Sequence, residues 1–401
     1  MLHGKTIVLG VTGSIAAYKS ANLARMLKKL GADVHVLMTE NAENFINPIT
    51  FETLTQNKCL IDTFDRNFQY SVEHVAIAKK ADAVMIAPAS ANVIGKIANG
   101  IADDMLTTTV MACPCRKIIS PAMNHNMLHN PIVSDNIKKL EQYGYEIVKP
   151  GHGMLANGDM GDGRMPDEEV LLEYILRETA FEKDMAGKKV LVTAGATREP
   201  IDPVRFITNY STGKMGAAIA KAAMYRGAEV TLVAGHMEAE PPMFVRTETA
   251  ETAEDMYNEV RYLAPYMDII IKAAAVADYT PVHTAGEKIK KTEGDTEIKL
   301  RRTKDILMHL GKTRRNGQFI CGFSMETENV LENSAAKLKK KNVDMICANS
   351  LRTEGAGFGT DTNIITIITK DGVRELPKMS KFDAANAILD EINRLLPFAN
   401  A

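Results

Sequence analysis

The chain has 401 residues, 24% of them charged, and a formal net charge of −2; this length exceeds one typical hydrophobic core and predicts two domains. The near-neutral charge gives no basic field that would attract nucleic acid or anionic membranes, and charged residues interrupt every apolar stretch before it could span a bilayer. The first residues lack the form of a signal peptide and the five scattered cysteines are typical of reduced thiols, so we expect a cytoplasmic location with neither nucleic-acid nor membrane partners.

The pattern of predicted elements alternates buried strands with helices. In the first half we predict strands at residues 6–9, 34–38, 83–87 and 117–119, and helices at 15–30 and 167–183. In the second half we predict strands at residues 190–192, 230–233, 269–272, 319–322, 345–348 and 364–368. This alternation predicts an α/β fold with two doubly wound domains, 1–184 and 185–401, which meet near residues 183–188 and show no evident repeat.

Small and polar residues follow three strands of the first half. Gly13-Ser14-Ile15 stands where the first strand passes into a helix, Ser90 follows the third strand, and the motif Pro-Ala-Met-Asn-His-Asn-Met at residues 121–127 follows the fourth. Backbone amides and hydroxyls at such turns suit a phosphate, and open α/β sheets bind ligands at this edge. These blocks, over about residues 1–180, resemble the flavin-containing cysteine decarboxylases.

This resemblance implies a flavodoxin-like or Rossmann-like flavoprotein domain that binds FMN and decarboxylates a cysteinyl substrate. His74 matches the active-site histidine of that family, and Asn124 matches the residue that holds the substrate carboxylate. Substrate contacts are implied at Arg164 and Met165. The implied FMN site comprises Gly13, Ser14, Ile15, Thr39, Ser90 and Met123.

The chemistry explains the need for a flavin. Loss of CO2 from an unactivated carboxylate would leave an unstabilised carbanion, whereas prior oxidation of the thiol lets the negative charge delocalise onto sulfur. The flavin then returns a hydride, and a cysteine in a loop of the family supplies a proton. Here Asn157 stands at that cysteine's position, and a carboxamide has no proton to release near neutral pH. We therefore predict slow or absent reduction of the ene-thiol unless another donor, such as Cys113 or Cys115, replaces the cysteine.

The second half opens with a strand that ends in Ala194-Gly195-Ala196-Thr197, and a long polar segment leads to Gly213-Lys214-Met215. A dinucleotide-binding fold would place Gly-x-Gly-x-x-Gly at this turn, and a P-loop would need Ser or Thr after Gly-Lys. Neither motif is present. The block and its continuation to about residue 396 resemble the ligase half of the bifunctional phosphopantothenoylcysteine decarboxylase/phosphopantothenate–cysteine ligase family of coenzyme A biosynthesis.

That resemblance implies a Rossmann-like ligase domain that activates 4'-phosphopantothenate as an acyl-cytidylate before the cysteine amine displaces CMP. Asn209 matches the residue needed for the second step, and the planar guanidinium of Arg205 suits the substrate phosphate. Asp278 is a candidate Mg²⁺ ligand. A mobile flap is expected at the glycine-rich residues 355–361. The implied CTP site comprises Ala274, Asp278, Lys288, Asp305, Ile306, Phe323, Lys337 and Lys341.

Two alternatives from other functional classes stay open. A non-enzymatic relative of the flavin decarboxylases, acting as a regulatory subunit, would fit the absence of the loop cysteine. A two-domain NAD(P)-dependent oxidoreductase would need a glycine fingerprint that neither half supplies. The resemblance also implies a homo-oligomer, with trimers of the flavin half and dimers of the ligase half that together build a dodecamer.

Overall fold

The structure is a computed structural model that describes residues 1–64, 73–155, 158–291, 295–326, 330–350 and 359–396. Contacts divide the chain into two units, Met1–Glu182 and Lys183–Ala401. Within the described ranges, no helix combines the length and the apolar character that crossing a membrane requires.

The first unit is built on a parallel sheet with the strand order β2-β1-β3-β4-β5. This is the order of flavodoxin-like folds, in which the strand sequence reverses beside the first strand. A separate antiparallel hairpin, β6–β7, follows the sheet. The strands are β1 Thr6–Val11, β2 Asp33–Met38, β3 Ala83–Ala89, β4 Arg116–Pro121, β5 Glu146–Ile147, β6 Gly151–Met154 and β7 Met160–Arg164.

Helices cover this sheet, and all seven residues of β3 are buried, as expected of a central parallel strand. The predicted helix at 15–30 begins later, at Ala17, because the Ala17 amide donates to the Ser14 carbonyl and closes a turn first. The helices are α1 Ala17–Lys29, α2 Pro48–Thr55, α3 Glu73–Lys80, α4 Ala91–Ala98, α5 Met105–Ala112, α6 His125–Leu128, α7 Pro131–Gln142 and α8 Glu168–Thr179.

The second unit contains an eight-stranded sheet with the order β12-β11-β8-β13-β16-β17-β19-β20. The strands are β8 Lys189–Ala194, β9 Arg198–Pro200, β10 Phe206–Thr208, β11 Glu229–Ala234, β12 Arg246–Thr249, β13 Ile269–Lys272, β14 Tyr279–Pro281, β15 Leu300–Arg302, β16 Phe319–Glu326, β17 Met345–Ser350, β18 Thr362–Asn363, β19 Ile365–Thr369, β20 Val373–Glu375 and β21 Met379–Ser380.

The first six strands of that sheet are parallel and follow the order typical of dinucleotide-binding folds, 3-2-1-4-5-6 in chain sequence. The doubly wound prediction is therefore confirmed for this part. The last predicted strand differs, since β19 runs antiparallel to β17 and pairs with β20 through a tight turn in which Thr369 N–H donates to the Gly372 carbonyl. The helices are α9 Lys214–Tyr225, α10 Ala253–Leu263, α11 Ile306–Thr313, α12 Val330–Lys341 and α13 Lys381–Leu395.

Helix α11 meets the end of α12 at Gly311. A Cβ atom at Gly311 would lie 1.7 Å from the carbonyl oxygen of Lys341, and the side-chain amide of Asn342 donates to the Gly311 carbonyl at 2.8 Å. The two helices can approach this closely because residue 311 has no side chain. This contact fixes the distance between Asp305, which precedes α11, and Lys341.

We expect Gly311→Ala to lower the free energy of unfolding of the second unit by about 1–3 kcal/mol, the usual cost of overpacking a close contact. Urea unfolding followed by far-UV circular dichroism measures the change. Gly286→Ala is the matched control, because a Cβ atom there would meet nothing within 4 Å. Equal midpoints for the two variants would contradict the expectation.

Candidate active sites

A cavity of about 520 Å³ opens at the carboxyl ends of β1 and β4 in the first unit. Open α/β sheets bind ligands at this edge, beside the point where the strand order reverses. The cavity thus brings together six residues predicted from the sequence, which are Ser14, Ile15, Met123, Asn124, Arg164 and Met165. The rest of the lining is Ala16, Tyr18, Lys19, Ala122, Met154, Leu155 and Gly163.

One wall of the cavity is the turn between β1 and α1. A Cβ atom at Gly13 would lie 2.9 Å from the Cβ of Asn41, so glycine lets the turn pack closely on the segment after β2. The Ser14 hydroxyl accepts the Ala16 amide at 3.4 Å. The turn therefore presents backbone amides and a hydroxyl at the start of a helix, a combination that suits an anionic ligand group.

Two further residues predicted for the flavin site, Thr39 and Ser90, lie at neighbouring strand ends. The Ser90 amide donates to the Thr12 hydroxyl at 2.9 Å, and Thr12 donates to the Pro88 carbonyl at 2.8 Å, which joins the ends of β1 and β3. The Thr39 hydroxyl is buried and has no hydrogen-bond partner among the described residues. Because an unpaired buried hydroxyl costs free energy, Thr39 is a position where an oxygen of a bound flavin would fit.

The opposite wall is the β6–β7 hairpin, which docks on the Pro-Ala-Met-Asn motif. The Met123 amide donates to the Gly163 carbonyl at 3.1 Å. Gly163 has φ = +122°, and a Cβ atom there would lie 2.1 Å from the Met123 oxygen, so this close approach requires glycine. Arg164 and Met165 follow directly and reach the cavity.

Asn124 is oriented within this cavity by a backbone amide two residues later in the chain. Its side-chain oxygen accepts the Asn126 amide at 2.9 Å and caps α6. Because the oxygen is used in this bond, the side-chain NH2 group is the part of Asn124 that can donate to a ligand. A donor of this kind suits a carboxylate.

Lys19 is a site residue that the sequence reasoning missed. It is buried on α1 and lines the cavity. Its ammonium donates to the carbonyls of Met165 and Pro166 at 3.3 Å each and to the Asp167 carboxylate at 2.8 Å. Lys19 therefore fastens the chain that leaves β7. A lysine on the buried face of a helix is the only signal in the sequence.

His74 lies half-buried on α3, which packs against α5, and it does not line the cavity. Asn157 lies outside the described residues. The alternative proton donors Cys113 and Cys115 precede β4, whereas the cavity lies at the carboxyl end of that strand. The six residues of β4 span roughly 20 Å, so both thiols lie towards the opposite edge of the sheet and neither lines the cavity.

A second cavity, of about 550 Å³, lies at the carboxyl ends of β13 and β16 in the second unit. It brings together six residues predicted to bind CTP: Asp278, Asp305, Ile306, Phe323, Lys337 and Lys341. Ala274 is buried behind the lining, and Lys288 is exposed elsewhere in the unit. The rest of the lining is Lys272, Val276, Ala277, Tyr279, Arg302, Thr303, Lys304 and Leu307.

Opposite charges face one another across this second cavity. Lys337 and Lys341 are four residues apart on α12 and therefore project from one face of the helix. Lys341 forms an ion pair with Asp305, whose other oxygen accepts the Met308 amide at 2.9 Å and caps α11. Burial alone would raise the pKa of Asp305, but the Lys341 ammonium and the Met308 amide hold it below its ordinary value.

Lys272 is the second site residue that the sequence reasoning missed. It ends the apolar strand β13 at the floor of the cavity. Burial lowers the pKa of Lys272 to about 8, and the nearby carboxylates of Asp305 and Asp278 oppose this shift. A charged residue that ends an Ile-Ile-Ile strand was the signal available in the sequence.

Asn209 contacts the loop that carries Asp278. Its side-chain amide donates to the Ala275 carbonyl at 3.1 Å. The Thr197 hydroxyl accepts the Ala277 amide at 3.0 Å, and Thr303 closes the other side by donating to the Ala277 carbonyl at 2.7 Å. The loop after β13 is thus held from both sides, which places Asp278 at the cavity.

Arg205 and the segment that carries Lys288 meet at a buried carboxylate. The Arg205 guanidinium pairs with Asp202, whose side chain is fully enclosed, and also donates to the Ile289 carbonyl at 3.0 Å. Asp202 accepts the Ile289 amide at 3.1 Å. The Arg205 guanidinium holds the pKa of Asp202 well below its usual range, and hydrogen bonds from backbone amides lower it further. Burial of the carboxylate acts in the opposite direction but is outweighed. Neither cation lines the second cavity.

Each half of the chain matches a known protein family. The family model described as "Flavoprotein" matches residues 1–180, and the model described as "DNA/pantothenate metabolism flavoprotein C-terminal domain" matches residues 185–396. The coenzyme A biosynthesis bifunctional protein of Bacillus subtilis (strain 168) is 45% identical over 399 residues, which cover 98% of each chain. The corresponding protein of Borreliella burgdorferi is 41% identical over 391 residues, covering 97% of this chain and 99% of the relative.

Among solved structures, the crystal structure of the C-terminal domain of a coenzyme A biosynthesis bifunctional protein is 44% identical. It covers 54% of this chain and 98% of that domain, with a TM-score of 0.46. Near-full-length identity above 40%, together with the two family models, shows that this chain belongs to the family of coenzyme A biosynthesis bifunctional proteins.

Proposed function

We propose that residues 185–401 ligate 4'-phosphopantothenate to cysteine with CTP and Mg²⁺, and that residues 1–184 then decarboxylate the product with FMN. The family to which the chain belongs comprises bifunctional enzymes of coenzyme A biosynthesis with ligase and decarboxylase activities, one half of which is a flavoprotein. The observation that supports placing the ligase activity in residues 185–401 is the second cavity. It combines four lysines and an arginine with two carboxylates, a set that suits a triphosphate and a metal ion.

In the proposed ligase reaction, the substrate carboxylate attacks the α-phosphate of CTP and pyrophosphate leaves. Lys337 and Lys341 stabilise the negative charge of the phosphates, and Asp278 holds Mg²⁺. The cysteine amine then attacks the acyl-cytidylate carbonyl and CMP departs. Asn209, whose side chain bonds to the loop that carries Asp278, positions the acyl group for that step. Arg205 and Lys288 supply cations for the substrate phosphate.

In the proposed decarboxylase reaction, the bound flavin serves as a temporary electron acceptor for the substrate thiol. Ser14, Thr39 and Ser90 would hold it, and the unpaired Thr39 hydroxyl supports this placement. The side-chain NH2 group of Asn124 binds the carboxylate that is lost as CO2. Arg164 and Met165 cover the substrate from the β6–β7 hairpin, which Lys19 fastens in place. His74 is assigned to proton transfer by its place in the family motif.

The alternatives are less well supported. A regulatory subunit would not need the complete charged cavity of the second unit. A dinucleotide-dependent oxidoreductase fits the strand order of the second unit, but the turn after β8 lacks the glycine fingerprint that brings a pyrophosphate to the backbone. We further propose a homo-oligomer built from trimers of the first unit and dimers of the second, and a cytoplasmic location.

The deciding experiment for the ligase is pyrophosphate release by the full chain. Release should require CTP, 4'-phosphopantothenate and Mg²⁺ together, and CMP should appear when cysteine is added. Flavin extracted from the same preparation and identified by mass spectrometry tests the FMN assignment separately. Absence of pyrophosphate in the complete mixture would refute the ligase proposal, and a flavin other than FMN would refute only the cofactor proposal.

The affinity for CTP should fall as the pH rises through about 8. The pKa of Lys272 is lowered to about 8. Its side chain is therefore positively charged below this pH and neutral above it, and the neutral form no longer attracts the triphosphate. CTP binding measured by calorimetry between pH 7 and 9 should show weaker binding and uptake of a proton at the higher values. In Lys272→Arg, which stays charged, the decline should vanish. The same decline in both proteins would contradict the role of Lys272.

Asn157→Cys should increase the yield of the fully reduced product. A thiol with an ordinary pKa of about 8.5 can release a proton near neutral pH, whereas a carboxamide cannot. Mass spectrometry of the products made from phosphopantothenoylcysteine separates the ene-thiol from 4'-phosphopantetheine, which is two hydrogen atoms heavier. Equal yields of 4'-phosphopantetheine from the native chain and the variant would show that a different group donates the proton.

A further inference from the structure

Three side chains of the first unit form a cluster outside the cavity lining. His125 and His129 belong to α6 and its end, and Asp162 lies on β7. One ring nitrogen of each histidine and a carboxylate oxygen of Asp162 all lie within 4.8 Å of one another. Imidazole nitrogen and carboxylate oxygen together are the donors that Zn²⁺ and neighbouring divalent transition metals prefer.

The spacing of these donors fits a small tetrahedral ion. The His129 Nε2 atom lies 3.2 Å from Asp162 Oδ2. Metal–ligand bonds of about 2.0–2.1 Å in a tetrahedral site separate neighbouring donors by roughly 3.3 Å. An ion therefore fits between these two atoms with small adjustments of the side chains.

The third donor is held beside the same strand. The backbone amide of Asp162 donates to His125 Nδ1 at 3.2 Å, which keeps the ring next to β7; a metal ion bound to this nitrogen would take the lone pair in place of the amide. The two imidazole rings lie 4.3 Å apart. Gly161 lets the His125 ring pack closely on β7, because a Cβ atom at residue 161 would lie 3.0 Å from His125 Cγ and Nδ1.

A fourth residue orients the carboxylate. His152 Nδ1 lies 2.9 Å from Asp162 Oδ1, the oxygen that does not face His129. Metal-binding carboxylates are commonly held by an outer hydrogen bond of this kind, which fixes the direction of the oxygen that binds the ion. His152 lies on β6, so both strands of the hairpin contribute to the arrangement.

We propose that His125, His129 and Asp162 bind one divalent transition-metal ion, with Zn²⁺ as the best match, and that His152 positions Asp162 for this role. The ion would join the β6–β7 hairpin to α6. Asn124 immediately precedes α6, and Arg164 ends β7, so metal binding would fix the relative positions of two residues that line the flavin-side cavity.

The test uses the full chain with its flavin bound, after metal removal by a chelator that is then itself removed. Calorimetric titration with ZnCl2 should show one ion bound per chain. His129→Gln and Asp162→Asn should each weaken that binding by roughly 10-fold or more, since even outer hydrogen-bond partners contribute this much. His35→Gln is the matched control, because His35 forms another partly exposed pair with an aspartate, Asp33, in the same unit. It should bind zinc as the native chain does.

Two further readouts keep the test decisive if a variant folds poorly. Co²⁺ added to the native chain should produce the visible absorption of a tetrahedral site, and Zn²⁺ should displace it. Zn²⁺ should also slow amide hydrogen exchange in peptides that include His152 and Asp162. The proposal is overturned if the native chain binds no zinc, if binding survives in His129→Gln and Asp162→Asn, or if His35→Gln weakens it equally.

Discussion

Lys341→Met is expected to lower CTP-dependent pyrophosphate release by roughly 10²- to 10³-fold, the usual cost of removing one donor that stabilises developing negative charge. The Lys341 ammonium lies against Asp305 at the edge of the charged cavity, with only 13% of its side chain exposed. Methionine keeps much of the side-chain volume and removes the charge. Steady-state pyrophosphate release at saturating CTP measures the effect.

Lys340→Met is the matched control, because Lys340 is exposed on the same helix and does not line the cavity. It should retain nearly full ligase activity. Decarboxylation of phosphopantothenoylcysteine supplied directly should be unchanged in both variants. If Lys340→Met loses as much activity as Lys341→Met, helix α12 contributes only a general positive field and the specific role of Lys341 is wrong.

Asn124→Asp is expected to reduce decarboxylation by at least roughly 100-fold and to leave ligation unchanged. Aspartate has nearly the same shape, but it replaces the donor NH2 group by an anionic oxygen that repels the substrate carboxylate, and like charges at such distances cost several kcal/mol. Release of CO2 from phosphopantothenoylcysteine measures the loss. Flavin absorbance should be retained, which would separate this effect from loss of the cofactor.

Asn126→Asp introduces the same charge two residues away, on an exposed side chain. Asn126 hydrogen-bonds to Asn124 through its backbone amide, which the substitution keeps, so this control should decarboxylate at close to the native rate. An Asn124→Asp enzyme that keeps more than roughly a tenth of the native rate would show that the substrate carboxylate is bound elsewhere.

Much of the fold follows from local pattern. Buried strands that alternate with helices predict parallel sheets, and the motifs after β1 and β4 predict which strand ends meet a ligand, because all parallel strands end at one edge. The direction of β19, by contrast, does not follow from the local sequence pattern. An apolar strand such as residues 365–369 has the same pattern in either direction, and only its turn into β20 and its pairing with β17 decide between them.

The residues missed in the sites share one physical reason. Both lysines interact with residues that are distant in the chain. Lys19 donates to the carbonyls that follow β7. Lys272 is near the carboxylates of Asp305 and Asp278. A lysine is normally solvated, so the residue type alone gives no sign of burial, and only the apolar neighbours of Lys19 and Lys272 in their elements point to it. Arg205 shows the converse, since its predicted role rests on its chemistry, while its pairing with Asp202 appears only in three dimensions.

The hydrogen bonds of Asp202 join two segments that are far apart in the chain. Its enclosed carboxylate accepts the amides of Val204 and Arg205, the Arg205 guanidinium, and the amide of Ile289, which is 87 positions later. Two cation-bearing segments that are remote in the chain therefore share one anchor. Across related chains, sequence changes around residue 289 should be correlated with changes at residue 202, and an insertion beside either segment should be tolerated only where this anchor is preserved.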